Sequence, residues 1–423
     1  MTTHTLPEAD GTPLPSAPGA TDMPGAPGNQ DSPAGQHRSG SLAVVDTPFS
    51  EAEFAALKAE IRTYVENEGE RWTELIEAEH RVPTELWDEL RERGYLRLAA
   101  PTALGGRGVP FSRYLELIEL FSRPHASLRM IVHVMNGLWR AMLPYANQEQ
   151  LERFVKPQIT TDIKVAFTLT EPDAGTGSDI KCSVVREGDT YYLSGQKHLI
   201  TFGCISDYLL LFARLEGTHG SDGTVALMVP AHGDGIDNRL MPDSMGVTGT
   251  DHAHLIFDRA PVPVANRLGE EGQGIEVAVG GFLVPSRISV AMTCVGLAGK
   301  ALDLAVDHSR KRVTFGKPIA SRQAISFKLA EMATDLEAAR RLTLHAAHTW
   351  EQDPASGTAE SSMSKLFASE MLQRVTDNAL QVFGGIGFFK SPIERVYRDA
   401  RAQRFEEGTV EIQKQTIARE LLG

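Results

Sequence analysis

The sequence predicts a mainly α-helical protein with a β domain in its middle. Three observations predict it. Apolar residues recur at helical spacing over roughly residues 50–160, short strand-like runs without intervening helices occupy 165–257, and long amphipathic segments fill the chain from 277 onward. The first helix is announced by Ser50 and Glu53, a capping-box pattern, followed by Phe54, Leu57, Ile61 and Val65. Pro83 and Thr84 open a second helix carrying Leu86, Trp87 and Leu90, and Gly94 closes it. A loop, Gly105-Gly106-Arg107-Gly108, precedes helical patterns over 114–121 and 130–143. The strand-like runs are 165–169, 190–194, 208–212, 225–229 and 254–257, with turn signals such as Glu187-Gly188-Asp189 and Gly233-Asp234-Gly235 between them. Helical periodicity returns over 288–304, 323–347, 362–383 and 410–422, and such helices pack as a bundle.

The division expected is a disordered tail over 1–46, a helical domain over 47–163, a small antiparallel β domain over 164–276 and a helical bundle over 277–423. The tail is rich in Pro, Gly, Ala, Ser and Asp and nearly free of bulky apolar residues. It lacks the apolar core of a secretory signal and the Arg-rich pattern of a transit peptide. No run of about eighteen uninterrupted apolar residues occurs, so no membrane span is expected. A hydrophobic content of 42% with 23% charged residues is that of an ordinary soluble protein. The net charge of -13 argues against a general nucleic-acid or anionic-membrane surface. Cys182, Cys204 and Cys294 are odd in number and widely spaced, which fits a reducing, cytoplasmic setting better than a disulfide framework.

Five segments can carry chemistry. Residues 168–179, Thr-Leu-Thr-Glu-Pro-Asp-Ala-Gly-Thr-Gly-Ser-Asp, run from a strand into a loop whose hydroxyls and amides suit a flat polar ring or a phosphate. Residues 195–203 form another strand ending in a hydroxyl, at Thr201. In 312–319 the guanidinium of Arg312 suits a pyrophosphate, with Gln323 just beyond. Residues 381–388 are glycine-rich, which permits close backbone approach to a ligand. Finally, Glu406-Glu407-Gly408-Thr409 precedes the last helix, with Thr409 as its N-cap and Glu411 in its first turn. Glu407 before glycine places a potential base on a permissive loop.

In this order and spacing the five segments resemble the acyl-CoA dehydrogenase family of flavoproteins, over roughly residues 50–423. The resemblance implies an N-terminal helical domain, an antiparallel β-barrel-like middle domain and a C-terminal four-helix bundle. It also implies FAD as cofactor, a homotetramer or homodimer, and an electron-transfer flavoprotein as acceptor. Position by position, it sets Phe167, Leu169, Thr170 and Thr201 against the flavin ring, with Ser178 near both flavin and thioester. It gives Arg312, Thr314, Phe315, Gln323, Gln381, Gly384 and Gly385 to the FAD of a neighbouring subunit, and Thr409 and Glu411 to the FAD diphosphate. Glu407 matches the catalytic base, Arg287 an arginine on the active-site floor, and Glu406 and Gly408 flank the substrate. The implied reaction is α,β-dehydrogenation of an acyl thioester, on CoA or on an acyl-carrier protein. Glu407 takes the α-proton while the β-hydride goes to flavin N5. Some members carry the base just before the arginine matched by Arg287, but Ser286 there is no carboxylate.

The chain departs from the family pattern at three points. Thr176-Gly177 is inserted before Ser178, Leu199 stands where an aromatic is usual, and Glu406 replaces the aromatic before the base. Glu406 is expected to point away from the pocket or to read a polar feature of the substrate. Lys197 and His198 are expected to face solvent, Asp251, His252 and His254 to be ordinary strand surface, and Gly269, Gly272 and Gly274 to form a loop. The competing functions are a flavin-dependent oxidase or monooxygenase on the same scaffold, which the retained Glu407 opposes, and a non-catalytic nucleic-acid-binding relative, which the acidic balance opposes.

Overall fold

A computed structural model describes residues 49–173, 179–354 and 357–423. The tail expected over 1–46 and the predicted site residue Ser178 lie outside the described residues.

The chain opens with α1 (Glu51–Glu79), α2 (Thr84–Glu92), α3 (Phe111–Ser122) and α4 (Ala126–Gly137). The capping box at α1 forms as read: Ser50 accepts the Glu53 backbone N–H while the Glu53 carboxylate accepts from the Ser50 N–H. Helix α4 is almost wholly buried. Asn136 pins its C-terminal turn, accepting from the Ala99 N–H at 2.9 Å and donating to the Tyr95 carbonyl at 2.9 Å. Two charged or titratable side chains lie on this apolar helix four residues apart, Arg129 and His133, so they share one face.

The middle of the chain forms β1 (Val165–Thr168), β2 (Ser183–Glu187), β3 (Thr190–Thr201), β4 (Tyr208–Leu215), β5 (Thr224–Pro230), β6 (Ile236–Leu240), β7 (His252–Pro263) and β8 (Arg267–Leu268). The order is β6-β7-β3-β2-β4-β5-β8, with β1 beside β4. Pairing is antiparallel except that β4 runs parallel to both β1 and β2. Strands β2 and β6 had no clear sequence signature. Strand β6 is an edge strand with no fully buried residue, and its polar sequence gives no apolar–polar alternation.

Strand β3 corrects one expectation. Lys197 does not face solvent; it is fully buried. It shares the inward parity of Tyr191 and Leu193, and its ammonium donates to the Glu171 carboxylate and the Leu169 carbonyl, each at 2.8 Å. Glu171 also accepts the backbone N–H groups of Lys181 at 2.7 Å and Cys182 at 3.0 Å. A register shift between Lys197 and Ile200 then turns Leu199 outward, with φ 56°.

The C-terminal part contains α5 (Val284–Lys311), α6 (Gln323–Gln352), α7 (Thr358–Phe383), α8 (Pro392–Ala402) and α9 (Val410–Leu422). Helix α8 was not anticipated, although Ser391 caps it and Pro392 begins it, an ordinary helix-start signal. Helix α5 is the central rod. Gly296 lets it approach α3, where a Cβ would meet the Glu119 carbonyl at 2.5 Å. The helical stretch Gly274–Lys311 is apolar and long enough to cross a membrane, but 83% of its apolar window is packed inside the protein, as befits a core helix.

Candidate active site

Glu407 sits on a turn between α8 and α9 and adopts a left-handed backbone, φ 53°, with Gly408 following at φ 95°. A glutamate in that region is strained, and such strain persists only where surrounding contacts over-determine it. Here they do. The Glu407 carbonyl accepts from Arg287 Nε at 3.2 Å and from Gln413 Nε2 at 3.0 Å. The Gly408 carbonyl accepts from Lys365 Nζ at 2.7 Å and from Gln413 Nε2 at 3.1 Å, and Lys365 also reaches the Arg404 carbonyl at 3.2 Å. Lys365 and Gln413 are fully buried and Arg287 nearly so. Burial holds the Lys365 ammonium down to about 8 and depresses the Arg287 guanidinium as well.

The turn delivers the Glu407 carboxylate to the start of α5. Ser286 Oγ donates to Glu407 Oε1 at 2.7 Å, and His133 Nε2 lies 2.8 Å from the same Oγ. Burial pushes the Glu407 carboxyl up to about 7; the Ser286 hydrogen bond opposes this, the neighbouring Glu406 charge adds to it, and Arg287 and Arg129 oppose it. The result is a carboxylate poised to take or hold a proton near neutrality.

Glu406 points away from Ser286. One of its oxygens accepts from the Arg129 guanidinium at 2.9 Å and the other from Gln403 Nε2 at 3.0 Å, while Gln403 Oε1 accepts from Arg129 at 3.0 Å. Arg129 is 1% exposed, so this pair is buried on the arginine side. Burial and the nearby Arg129 and Arg140 charges hold His133 well below the usual imidazole range, so the ring is neutral. Sequence reasoning missed Arg129, His133, Lys365, Gln403 and Gln413. The available signal was the polar pair, four apart, on the otherwise apolar run of α4.

The remaining predicted site residues fall into two groups. Phe167, Leu169, Thr170 and Thr201 lie where β1 and β3 end side by side, joined by the His198 N–H donating to the Thr170 carbonyl at 3.0 Å. The hydroxyl residues Thr170 and Thr201 are half-buried, while Leu169 is buried and Phe167 stacks on Phe282 at 4.5 Å between ring centres. Arg312, Thr314, Phe315, Gln323, Gln381, Gly384 and Gly385 gather at the opposite end of α5. The His308 ring stacks on Phe383 at 4.1 Å there, so the C-terminal ends of α5 and α7 meet. At a rise of about 1.5 Å per residue, Arg312 lies roughly 40 Å along the helix from Ser286. Phe315 is 97% exposed and Phe388 84% exposed, and the exposed Arg312 makes no ion pair among the described residues. Open space surrounds Gly384 and Gly385, and only Gly384 has a backbone, φ 64°, that demands glycine. Thr409 stands at the N-cap of α9 with extended backbone but makes no capping bond through its side chain, and Glu411 is exposed.

Exposed aromatic rings, an unpaired guanidinium and half-buried hydroxyls fit a dinucleotide with a flat ring and a diphosphate. Their separation along α5 means that one chain does not gather all of them around a single cofactor.

Comparisons with known proteins place the chain in a family. Family models for the N-terminal, middle and C-terminal domains of acyl-CoA dehydrogenase match residues 51–162, 166–260 and 272–422. An acyl-CoA dehydrogenase of Bacillus subtilis is 35% identical over 366 residues, 86% of this chain and 96% of that protein. Subunit CarC of the caffeyl-CoA reductase-Etf complex of Acetobacterium woodii is 34% identical over 82% of this chain and 92% of its own length. The solved butyryl-CoA dehydrogenase of Megasphaera elsdenii superposes with a TM-score of 0.81 at 30% identity, covering 90% of this chain and all of that one. The chain belongs to the acyl-CoA dehydrogenase family, and it is an oxidoreductase of the type acting on CH–CH bonds.

Proposed function

We propose that this protein is an FAD-dependent α,β-dehydrogenase of an acyl thioester, with Glu407 as the base. The observation that carries the reading is the Glu407 carboxylate, held on a strained turn, hydrogen-bonded by Ser286 and pushed up to about 7. A thioester α-proton is only weakly acidic, so its removal needs a base whose basicity has been raised by burial. The flavin, when bound, supplies the hydride acceptor. Thr170 and Thr201 offer hydroxyls to the flavin ring, with Phe167 and Leu169 beside them. Arg312, Thr314, Phe315, Gln323, Gln381, Gly384 and Gly385 hold the FAD of a second copy of the chain, with Thr409 and Glu411 near the diphosphate. Arg287 fixes the floor beneath Glu407 and the thioester, and Gly408 gives that turn its shape. Loss of the α-proton to Glu407 and of the β-hydride leaves a double bond conjugated to the thioester carbonyl.

The acyl carrier is CoA in this reading, as in the names of the relatives, and the acceptor an electron-transfer flavoprotein, as the complex containing CarC suggests. A panel of CoA and carrier-protein thioesters, each mixed anaerobically with yellow holoenzyme, tests both function and carrier. The right thioester bleaches the flavin, and Glu407→Gln slows that bleaching by about 10³-fold. Full-rate bleaching by the variant would remove Glu407 from the mechanism. Rapid oxygen consumption with oxygenated product would replace dehydrogenase by oxidase or monooxygenase.

A further inference from the structure

The polar pair on α4 has a role beyond the resemblance. We propose that His133 is a positioning residue for Glu407, acting through the hydroxyl of Ser286, whose single proton it directs onto Glu407 Oε1. This rests on Glu407 being the base.

Ser286 Oγ carries one proton and has two close polar neighbours, Glu407 Oε1 at 2.7 Å and His133 Nε2 at 2.8 Å. A carboxylate oxygen only accepts, so the hydroxyl proton belongs to Glu407. The contact with His133 is then a hydrogen bond only if Nε2 carries the imidazole proton and donates to Oγ. That assignment leaves Nδ1 as a bare lone pair, and Nδ1 has no partner among the described residues. The reverse tautomer would bury an N–H without an acceptor, which costs more than an unused lone pair. The chain of donors runs one way, from imidazole to hydroxyl to carboxylate. It occupies Oε1 and leaves Oε2 as the oxygen free to receive the substrate proton.

The surroundings give the arrangement its consequence. The charged groups facing it are Arg129 on α4, Arg287 at the start of α5, Lys365 on α7, Arg140 just beyond α4, and Glu406 on the same turn. Burial drives the Glu407 carboxyl up, and the Ser286 hydrogen bond is the largest influence opposing that rise. A hydroxyl free to rotate would lose this effect in part, and one that is absent would lose it entirely. In either case Glu407 holds its proton to higher pH and is idle as a base at neutrality.

The test is the pH profile of kcat/KM for thioester-dependent flavin reduction, using the flavin-loaded protein. Ser286→Ala is expected to move the acid limb up by about one pH unit, the size of one hydrogen bond to a charged group. His133→Phe is expected to move it the same way by less. His133→Gln, which keeps an N–H donor, restores most of the limb. In the Ser286→Ala background His133→Phe adds nothing, because its route to Glu407 is gone. At pH well above the limb every variant recovers most of its kcat/KM, which a distorted pocket would not do. The proposal fails if His133→Phe leaves the limb in place, or shifts it equally with and without Ser286. Should His133→Phe not fold, an unmoved limb in Ser286→Ala overturns it alone. Loss of the Glu407 assignment itself would show differently, as full activity in Glu407→Gln.

Discussion

The two ends of helix α5 are built on opposite principles. At its start, Ser286 and Arg287 meet the Glu407 turn in a closed polar network in which Lys365, Gln413, Arg129 and His133 are buried. At its far end, about 40 Å away, Arg312 and Phe315 face solvent, with Phe388 beyond the adjoining end of α7. The first end is knit together by hydrogen bonds within one chain. The second presents donors and rings to solvent. The difference teaches which parts of the chemistry this chain prepares alone. In the proposed reading one chain presets the proton-accepting carboxylate at the closed end, while the exposed end meets the FAD of a second copy of the chain.

That comparison can be broken at either end. The largest effect is expected at the closed end. Lys365→Met removes the donor that ties the Arg404 and Gly408 carbonyls together and leaves the Gly408 carbonyl to Gln413 alone. We expect a loss of about 2–3 kcal/mol in denaturant unfolding, with a matching fall in thioester-dependent flavin reduction. A variant as stable and active as the parent would mean the strained turn needs no such support.

At the open end, Arg312→Ala should leave unfolding unchanged, because the side chain is exposed and makes no ion pair among the described residues. It should weaken FAD retention by roughly tenfold, the value of one charge-assisted phosphate contact. Equilibrium dialysis reads this directly. Undiminished FAD affinity, or a stability loss like that of Lys365→Met, would erase the distinction between the two ends.

The smallest effect is electrostatic. Glu406 raises the Glu407 carboxyl, so Glu406→Gln lowers it and leaves Arg129 unpaired nearby, which lowers it further. The sign follows. A lower value for the base keeps it ionised to lower pH, so the acid limb of kcat/KM moves down, by roughly half a unit to one unit. The ratio of activity at pH 6 to that at pH 8 should rise. A limb that moves up would show that Glu406 acts through the substrate rather than through Glu407.

The contrast also explains what was legible in the sequence. Helix α9 and the capping box of α1 could be read because their signals are local, a cap followed by apolar spacing. Glu407 was legible through its motif. Arg287 was matched along with it, but the other members of its network were not, because Lys365 precedes it by 42 positions, and His133 by far more. Single polar residues on helices ordinarily read as solvated face. Lys197 on strand β3 was misread likewise, as a charged residue on a solvated face, although its parity with Tyr191 and Leu193 pointed inward. Ser286 illustrates the limit best. Chemistry excluded it as a base, but only the fold shows that its hydroxyl holds the Glu407 carboxylate.

The central claim is that Glu407 removes the α-proton. Exchange of the α-hydrogens of a thioester substrate in heavy water, followed anaerobically by mass spectrometry, isolates that step from hydride transfer. The parent protein is expected to exchange them with an acid limb near pH 7, and Glu407→Gln not above background. Exchange by Glu407→Gln at the parent rate, with the same limb, would contradict it.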